Sequence, residues 1–97
     1  MPQADHSLQA RFRPFPHVIS TMHADATVLL DVERGMYYTL NEVGGRIWAL
    51  LADSGSVGGI VSRLREEYDV APERLEGDVA GLVERLRAAR LVERVSA

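Results

Sequence analysis

The sequence of 97 residues contains no cysteine and no lysine, so all 11 of its basic residues are arginine. Without cysteine there is no disulfide framework, no thiolate zinc site and no cysteine nucleophile. No apolar run approaches the ~20 residues that a membrane-spanning helix needs, and residues 1–16 lack the apolar segment of a secretory signal. These absences predict a cytoplasmic protein that does not act at a membrane.

Positive charge is also scarce, since the chain has 14 acidic residues and 11 arginines and its formal net charge is −3. Nucleic acids and anionic membranes attract proteins largely through positive charge, so this balance argues against both as partners. Hydrophobic residues make up 46% and charged residues 26% of the chain. That composition and length are typical of one globular domain.

Residue types that support catalysis or metal binding are present without the spacing that such chemistry needs. His6, His17 and His23 share no helical face and have no carboxylates at metal-ligand spacing. The serines lack a Gly-x-Ser-x-Gly setting, and the later carboxylates alternate with arginines as on a solvated helix face. We therefore predict no catalytic residue, no metal, no cofactor and no enzymatic activity.

The first part of the chain is rich in proline and has no sustained hydrophobic period. This predicts a flexible N-terminal arm over residues 1–16, followed by one domain over residues 17–97. Short runs of branched residues then predict strands over 17–21, 28–32 and 36–40, the last two joined by a glycine-containing turn.

Three amphipathic stretches follow these strands and predict three helices. The first follows Asn41, a favourable N-cap, and runs to about Ala52; Ser56 caps the second. Pro72 begins the third, which runs to about Arg90. The order predicts an α+β, winged helix-turn-helix-like domain, in which a three-stranded antiparallel sheet is followed by three helices.

Met36–Leu40 is the predicted strand that borders the helices, and it lacks the features that usually protect a sheet edge. It contains no proline and no charged residue. Tyr38 and Leu40 are interpreted as core residues, while the free edge of the same strand could accept an extended peptide. The edge could also pair with its own copy, so we expect a monomer or a weak edge-mediated dimer.

A winged-helix DNA-binding regulator is the alternative that this fold suggests. A DNA-reading helix should be net basic. The third helix carries four arginines against four acidic residues, so its charge balance favours the peptide-binding hypothesis over the regulator.

The ordered succession of these segments resembles the PqqD-like family. Val28–Asp31, Gly35–Gly44 and Ile47–Trp48 are similar to the family's strand, turn, strand, Leu-Asn and helix signature, and Asp78–Val79 is similar to a point in its third helix. The resemblance covers about residues 18–93, and the order of the segments is more specific than any one of them.

Members of this family bind the leader of a ribosomally made precursor peptide and present it to modifying enzymes. The resemblance therefore implies a PqqD-like peptide-binding domain that acts as a non-catalytic adaptor. In the family the leader adds as a strand beside the third strand, in a groove against the third helix. Transferred to this sequence, the leader-binding residues are Met36, Tyr37, Tyr38, Thr39, Leu40, Val79, Leu82, Val83, Leu86, Arg87 and Arg90.

These residues are expected to contribute in different ways. The strand would supply backbone hydrogen bonds, and Arg87 and Arg90 would meet leader carboxylates at the rim. The four apolar helix residues would include both groove wall and core, and the sequence does not separate the two.

Within the family, the Tyr-Tyr strand and the Ile47–Trp48 helix are most similar to the stand-alone lasso peptide proteins. That branch implies a leader with a Tyr-x-x-Pro motif, a transglutaminase-like leader peptidase and a cyclase as partners. The alternative is a PqqD-type chaperone of the PqqA precursor in pyrroloquinoline quinone biosynthesis. That branch carries Cys-Asp-Gly after its first helix, whereas this sequence has Ala52-Asp53-Ser54-Gly55.

Overall fold

The computed structural model describes residues 9–53 and 55–95. Within them a three-stranded antiparallel sheet is followed by three helices, which confirms the predicted α+β fold class. The elements in chain order are β1 (Phe12–Pro14), β2 (Val18–His23), β3 (Ala26–Asp31), β4 (Met36–Leu40), α1 (Glu42–Asp53), α2 (Val57–Glu67), α3 (Pro72–Ala88) and β5 (Val92–Arg94).

The main sheet has the order β2-β3-β4, so β3 is central and the other two strands are its edges. Along β3, Thr27, Leu29 and Asp31 are buried while the alternate residues are only partly covered. Because successive side chains of a strand point to opposite faces, one face of the sheet packs on the helices and the other faces outwards.

A short turn between β3 and β4 fixes the start of the edge strand. The buried Asp31 carboxylate accepts hydrogen bonds from the backbone N–H groups of Glu33 and Arg34, each at 3.0 Å. Gly35 has φ +70°, a conformation that glycine adopts without strain. The side chain of one buried residue thus shapes the turn that delivers the chain into β4.

The helix starts follow the predicted caps. The Asn41 side chain accepts a hydrogen bond of 2.8 Å from the Gly44 N–H, and the Ser56 hydroxyl accepts one of 3.2 Å from the Gly59 N–H. Pro72 occupies the first turn of α3, where its missing N–H has no consequence.

A second, two-stranded sheet pairs β1 with β5, the two ends of the described chain. The register places Arg13 opposite Glu93, and their side chains form an ion pair of 2.9 Å. Phe12 is 1% exposed, and Ala10 is also part of the core. The structure therefore differs from the expected boundary after residue 16, because residues 10–14 belong to the folded domain. Residues 1–8 of the expected arm lie outside the described residues.

Gly45 in α1 lies at a close approach of this helix to the sheet. A methyl group at this position would meet the Thr27 hydroxyl and lie 3.1 Å from the Thr27 Cβ. Gly77 in α3 has open space at the equivalent position, with no atom within 4 Å. A side chain at position 45 would therefore be crowded, whereas one at position 77 would have free space.

We expect Gly45→Ala to lower the free energy of unfolding by about 1–3 kcal/mol, because the new methyl group overpacks the contact with Thr27. Gly77→Ala should raise it by about 0.5–1 kcal/mol, because alanine is the better helix former. Urea unfolding followed by circular dichroism measures both changes. Equal shifts in the same direction would contradict this difference in packing.

None of the described helices combines the length and the apolar composition that crossing a bilayer requires.

Candidate functional site

The outer side of β4 is an unpaired sheet edge among the described residues, as the sequence predicted. Met36 and Tyr37 are exposed, Tyr37 to 72%, whereas Tyr38 and Leu40 are partly buried and pack on the core. Alternate residues of an edge strand direct their N–H and C=O groups away from the sheet. These groups can pair with an extended peptide without requiring a particular peptide sequence.

A groove of about 480 Å³ lies beside the end of β4 and separates it from α3. Thr39 and Leu40 form one wall of the groove, and the start of α1 closes one end. The remaining lining residues come from α1 and its cap and from one face of α3: Asn41, Val43, Gly44, Ile47, Gly77, Asp78, Gly81, Leu82 and Arg85.

Two different faces of α3 carry the core contacts and the groove. Val79, Val83 and Leu86 are at most 3% exposed and belong to the hydrophobic core. Of the four apolar residues expected on this helix, only Leu82 lines the groove. The sequence left open which of the four belong to the groove wall and which to the core. Val79, Val83 and Leu86 belong to the core, because the most apolar stripe of the helix packs inwards, mainly against α2.

The groove face of α3 is open because two of its residues have no side chain. Gly77 and Gly81 line the groove, and a methyl group on either would have no neighbour within 4 Å. Glycine in a helix interior costs about 0.5–1 kcal/mol relative to alanine. The helix therefore contains two residues that weaken it and keep this space open.

Charged groups stand on the same face of α3. Asp78 and Arg85 line the groove. The Asp78 carboxylate lies 4.0 Å from the Arg74 guanidinium, whereas Arg85 forms no ion pair within the described part of the chain. The groove can therefore offer a guanidinium to a carboxylate of a bound peptide.

The two arginines expected at the rim lie further along the helix. The Arg87 guanidinium is 3.9 Å from the Glu84 carboxylate. Arg90 has φ +64° just beyond the helix end, where its N–H donates to the Arg87 carbonyl and the Leu91 N–H donates to the Leu86 carbonyl. This is a Schellman ending, so the backbone of Arg90 terminates the helix. Neither arginine lines the groove, which Arg85 does instead.

Sequence reasoning missed several groove residues, although a signal for them was present. Gly77, Gly81 and Arg85 recur every four residues, which is the spacing of one helix face. Two glycines at that spacing inside a long helix indicate a close neighbour or an open space. The apolar residues of α3 were chosen as groove candidates in their place, although hydrophobic periodicity identifies the core face of a helix.

No cluster of three or more His, Asp or Glu side chains within the described ranges is arranged to hold a metal ion. The groove itself contains the carboxylate of Asp78 and no histidine. The site offers backbone donors and acceptors along the edge of β4, and a groove that combines a carboxylate and a guanidinium with a few apolar side chains. This combination suits binding of an extended peptide.

Comparisons with known proteins give the family of this chain and two similar solved structures. Residues 26–92 match the family model described as coenzyme PQQ synthesis protein D (PqqD). A comparison with curated proteins gave no match.

Two solved structures are similar over nearly their whole length. TbiB1 in complex with the TbiA(beta) leader peptide has 30% identity and a TM-score of 0.80, over 88% of this chain and 99% of that chain. Lasso peptide synthetase B1 complexed with the leader peptide has 31% identity and a TM-score of 0.79, over 87% of this chain and 99% of that chain.

Proposed function

The chain belongs to the PqqD family, as its sequence resemblance indicated, and we propose on this basis that it binds the leader of a precursor peptide in lasso peptide biosynthesis. The leader adds as a strand to the free edge of β4 and lies over the groove against α3. The protein acts as a non-catalytic adaptor that presents the leader to processing enzymes.

One observation carries this proposal: the unpaired edge of β4 and the open groove lie side by side. An added strand would place alternate side chains on the inner side of the sheet, over the groove between Leu40 and α3. Strand addition supplies affinity through the backbone, and the groove supplies selection among side chains. The two similar structures were each obtained with a leader peptide, which supports leader binding by this chain.

The glycines of α3 give a second line of support. A helix under selection for stability alone would gain from alanine at Gly77 and Gly81, because nothing occupies the space beside them. Retaining glycine is understandable if a peptide side chain fills this space. We propose that the leader places a bulky apolar or aromatic side chain there, as the Tyr-x-x-Pro motif of lasso leaders would allow.

The contributions of the individual residues follow from this arrangement. Met36, Tyr37, Tyr38, Thr39 and Leu40 offer the strand edge, and Leu82 offers an apolar wall. We propose that Arg85 meets a leader carboxylate inside the groove. Arg87 and Arg90 lie further along the chain, outside the groove lining. Val79, Val83 and Leu86 support the groove from the core.

A leader-binding adaptor implies further partners. We propose a transglutaminase-like leader peptidase and a cyclase as the enzymes that receive the bound precursor. A role in pyrroloquinoline quinone assembly is the alternative within the same family. The two differ in the leader recognised, so a leader titration distinguishes them.

Fluorescence polarisation with a labelled lasso-type leader tests the proposal. We expect saturable binding with a Kd of about 10⁻⁶ to 10⁻⁸ M, the range for a small interface of one strand and one groove. Leaders with Tyr→Ala or Pro→Ala in the Tyr-x-x-Pro motif should bind at least tenfold more weakly. Binding of the PqqA precursor in place of the lasso leader would support the quinone alternative, and salt-sensitive binding of a DNA duplex with no leader binding would overturn the proposal.

The two adjacent tyrosines of β4 provide a matched pair of variants. Tyr38→Ala is expected to weaken leader binding about tenfold, because Tyr38 lies on the inner face beside the site of the added strand. Tyr37→Ala should change it by less than twofold, because that side chain is on the outer face. The same titration measures both, with circular dichroism as a check of folding. Equal losses for the two variants would place the leader elsewhere.

A further inference from the structure

The other edge of the sheet, β2, has the same open character as β4. Five of its six residues are exposed, and no other strand pairs with its outer side in the described ranges. Val18–His23 contains no proline and no Asp, Glu or Arg. Natural edge strands are usually protected by such residues or by a bulge, so β2 is a second strand that can accept a partner.

An apolar groove runs between β2 and α1. It consists of two adjoining cavities of about 320 Å³ each, which share Met22, Thr27, Gly45 and Ala49. Met22 is 69% exposed, and its sulfur accepts a hydrogen bond of 3.3 Å from the Thr27 hydroxyl, so its side chain stands at the mouth of the groove. Trp48 and Ala52 line one end, and Tyr68 lines the other.

This groove shares no lining residue with the groove at β4. The central strand β3 separates the two edges, which are therefore about 10 Å apart at the usual strand spacing. A leader strand on β4 would extend the same sheet while leaving β2 open. Both edges can therefore be occupied in one complex.

The charge at the β2 groove indicates what kind of segment fits it. Asp25, Glu42 and Arg46 stand at its rim. Arg46 donates two hydrogen bonds, of 2.8 and 2.6 Å, to the Glu67 carboxylate. This pairing raises the pKa of Arg46 and lowers that of Glu67. Within residues 9–53 and 55–95 the carboxylates of Asp25 and Glu42 have no such partner, so the charge left at the rim by these residues is negative.

A second copy of this chain that paired edge to edge through β2 would not neutralise these carboxylates. Its own β2 segment has no arginine to place beside Asp25 and Glu42. An extended segment with a bulky apolar residue and a basic residue would pair with the edge of β2, fill the groove and neutralise the carboxylates at its rim.

We propose that β2 and its groove are a second strand-docking site, which takes an extended apolar and basic segment of the leader peptidase while the leader occupies β4. The inference rests on the proposed leader-binding function. In this arrangement the leader and the peptidase segment pair with opposite edges of the same sheet, so the domain holds the precursor and the enzyme together.

Ala49→Trp tests this site, because Ala49 is exposed on α1 and lines both cavities. The large side chain should fill the groove while leaving the core intact. Ser62→Trp is the control, since Ser62 is exposed on α2 and lines neither groove. Binding of the purified peptidase is measured by biolayer interferometry on the full chain loaded with leader, and leader binding is measured separately by fluorescence polarisation.

We expect Ala49→Trp to weaken peptidase binding at least tenfold and to leave leader affinity within twofold, with Ser62→Trp unchanged in both assays. A double variant, Asp25→Asn with Glu42→Gln, should weaken peptidase binding at least threefold at low salt. Unchanged peptidase binding by these variants, or no peptidase binding by the unaltered leader-loaded chain, would overturn the proposed β2 site alone.

Two other results would also overturn the proposal. A dimer of the unaltered chain that Ala49→Trp dissociates in sedimentation equilibrium would identify a second copy as the occupant. Failure of the unaltered chain to bind leader would overturn the proposed function and, with it, this inference. The leader titration therefore distinguishes failure of the second site from failure of the first.

Discussion

Replacing Gly81 by leucine is expected to weaken leader binding at least a hundredfold, or about 2.7 kcal/mol, while the domain stays folded. Gly81 lines the groove beside β4, and a Cβ at this position has no neighbour within 4 Å. The leucine side chain would occupy the space that the leader needs. Leucine also favours a helix more than glycine by roughly 0.8 kcal/mol, so loss of binding would not come from unfolding.

Gly81→Ala is the matched control for this prediction. Its single methyl group should stabilise α3 and leave most of the groove open, so leader binding should fall by less than tenfold. Fluorescence polarisation gives the affinities, and urea unfolding gives the stabilities. If Gly81→Leu bound the leader normally, the peptide could not lie between β4 and α3.

Replacing Val83 by aspartate is expected to lower the free energy of unfolding by about 3–5 kcal/mol. Val83 is 3% exposed within the core, where the nearest groups are apolar. A domain of this length has a total stability of roughly 5–15 kcal/mol. Such a loss would leave much of the protein unfolded at moderate urea concentration and would reduce leader binding indirectly.

Val70→Asp is the same substitution on the surface, in the connector between α2 and α3, where Val70 is 38% exposed. We expect its effect to remain within about 0.5 kcal/mol. Urea unfolding measured by circular dichroism compares the two. A Val83→Asp variant that unfolded like the native protein but bound no leader would mean that Val83 faces the peptide and that the two faces of α3 have been exchanged.

Gly81→Leu and Val83→Asp together separate the roles of two nearby residues on α3. Gly81 and Val83 are two positions apart, and a helix turns by about 200° over two residues. One position therefore faces the groove and the other faces the core. Gly81→Leu should remove binding without loss of stability, and Val83→Asp should remove stability first.

Much of the local structure of this protein followed from its sequence. Asn41 and Ser56 cap helices because their side chains satisfy N–H groups a few residues further on. Gly35 marks the turn before β4, and the lack of proline and charge in Met36–Leu40 indicated an unprotected edge. These are interactions between residues close together in the chain, so a sequence pattern contains nearly all the information they need.

The sheet of β1 and β5 could not be inferred in the same way. It joins Arg13 to Glu93, 80 residues apart, through two strands of three residues each. Neither strand is long enough to show a period, and Pro14 made the first one look like part of a flexible arm. Only the packing of Phe12 into the core, which the whole fold creates, decides that this segment is ordered.

The sequence by itself thus determined the order of the three main-sheet strands and the three helices, the caps of the first two helices, the family resemblance and the unprotected edge of β4. Tertiary structure decided which face of α3 lines the groove, because Val79, Val83 and Leu86 are part of the core and Gly77, Gly81 and Arg85 are left at the groove. It also revealed the second open edge at β2. The physical reason is that hydrophobic periodicity identifies the face a helix buries, whereas a groove is formed by the distance between elements far apart in the chain.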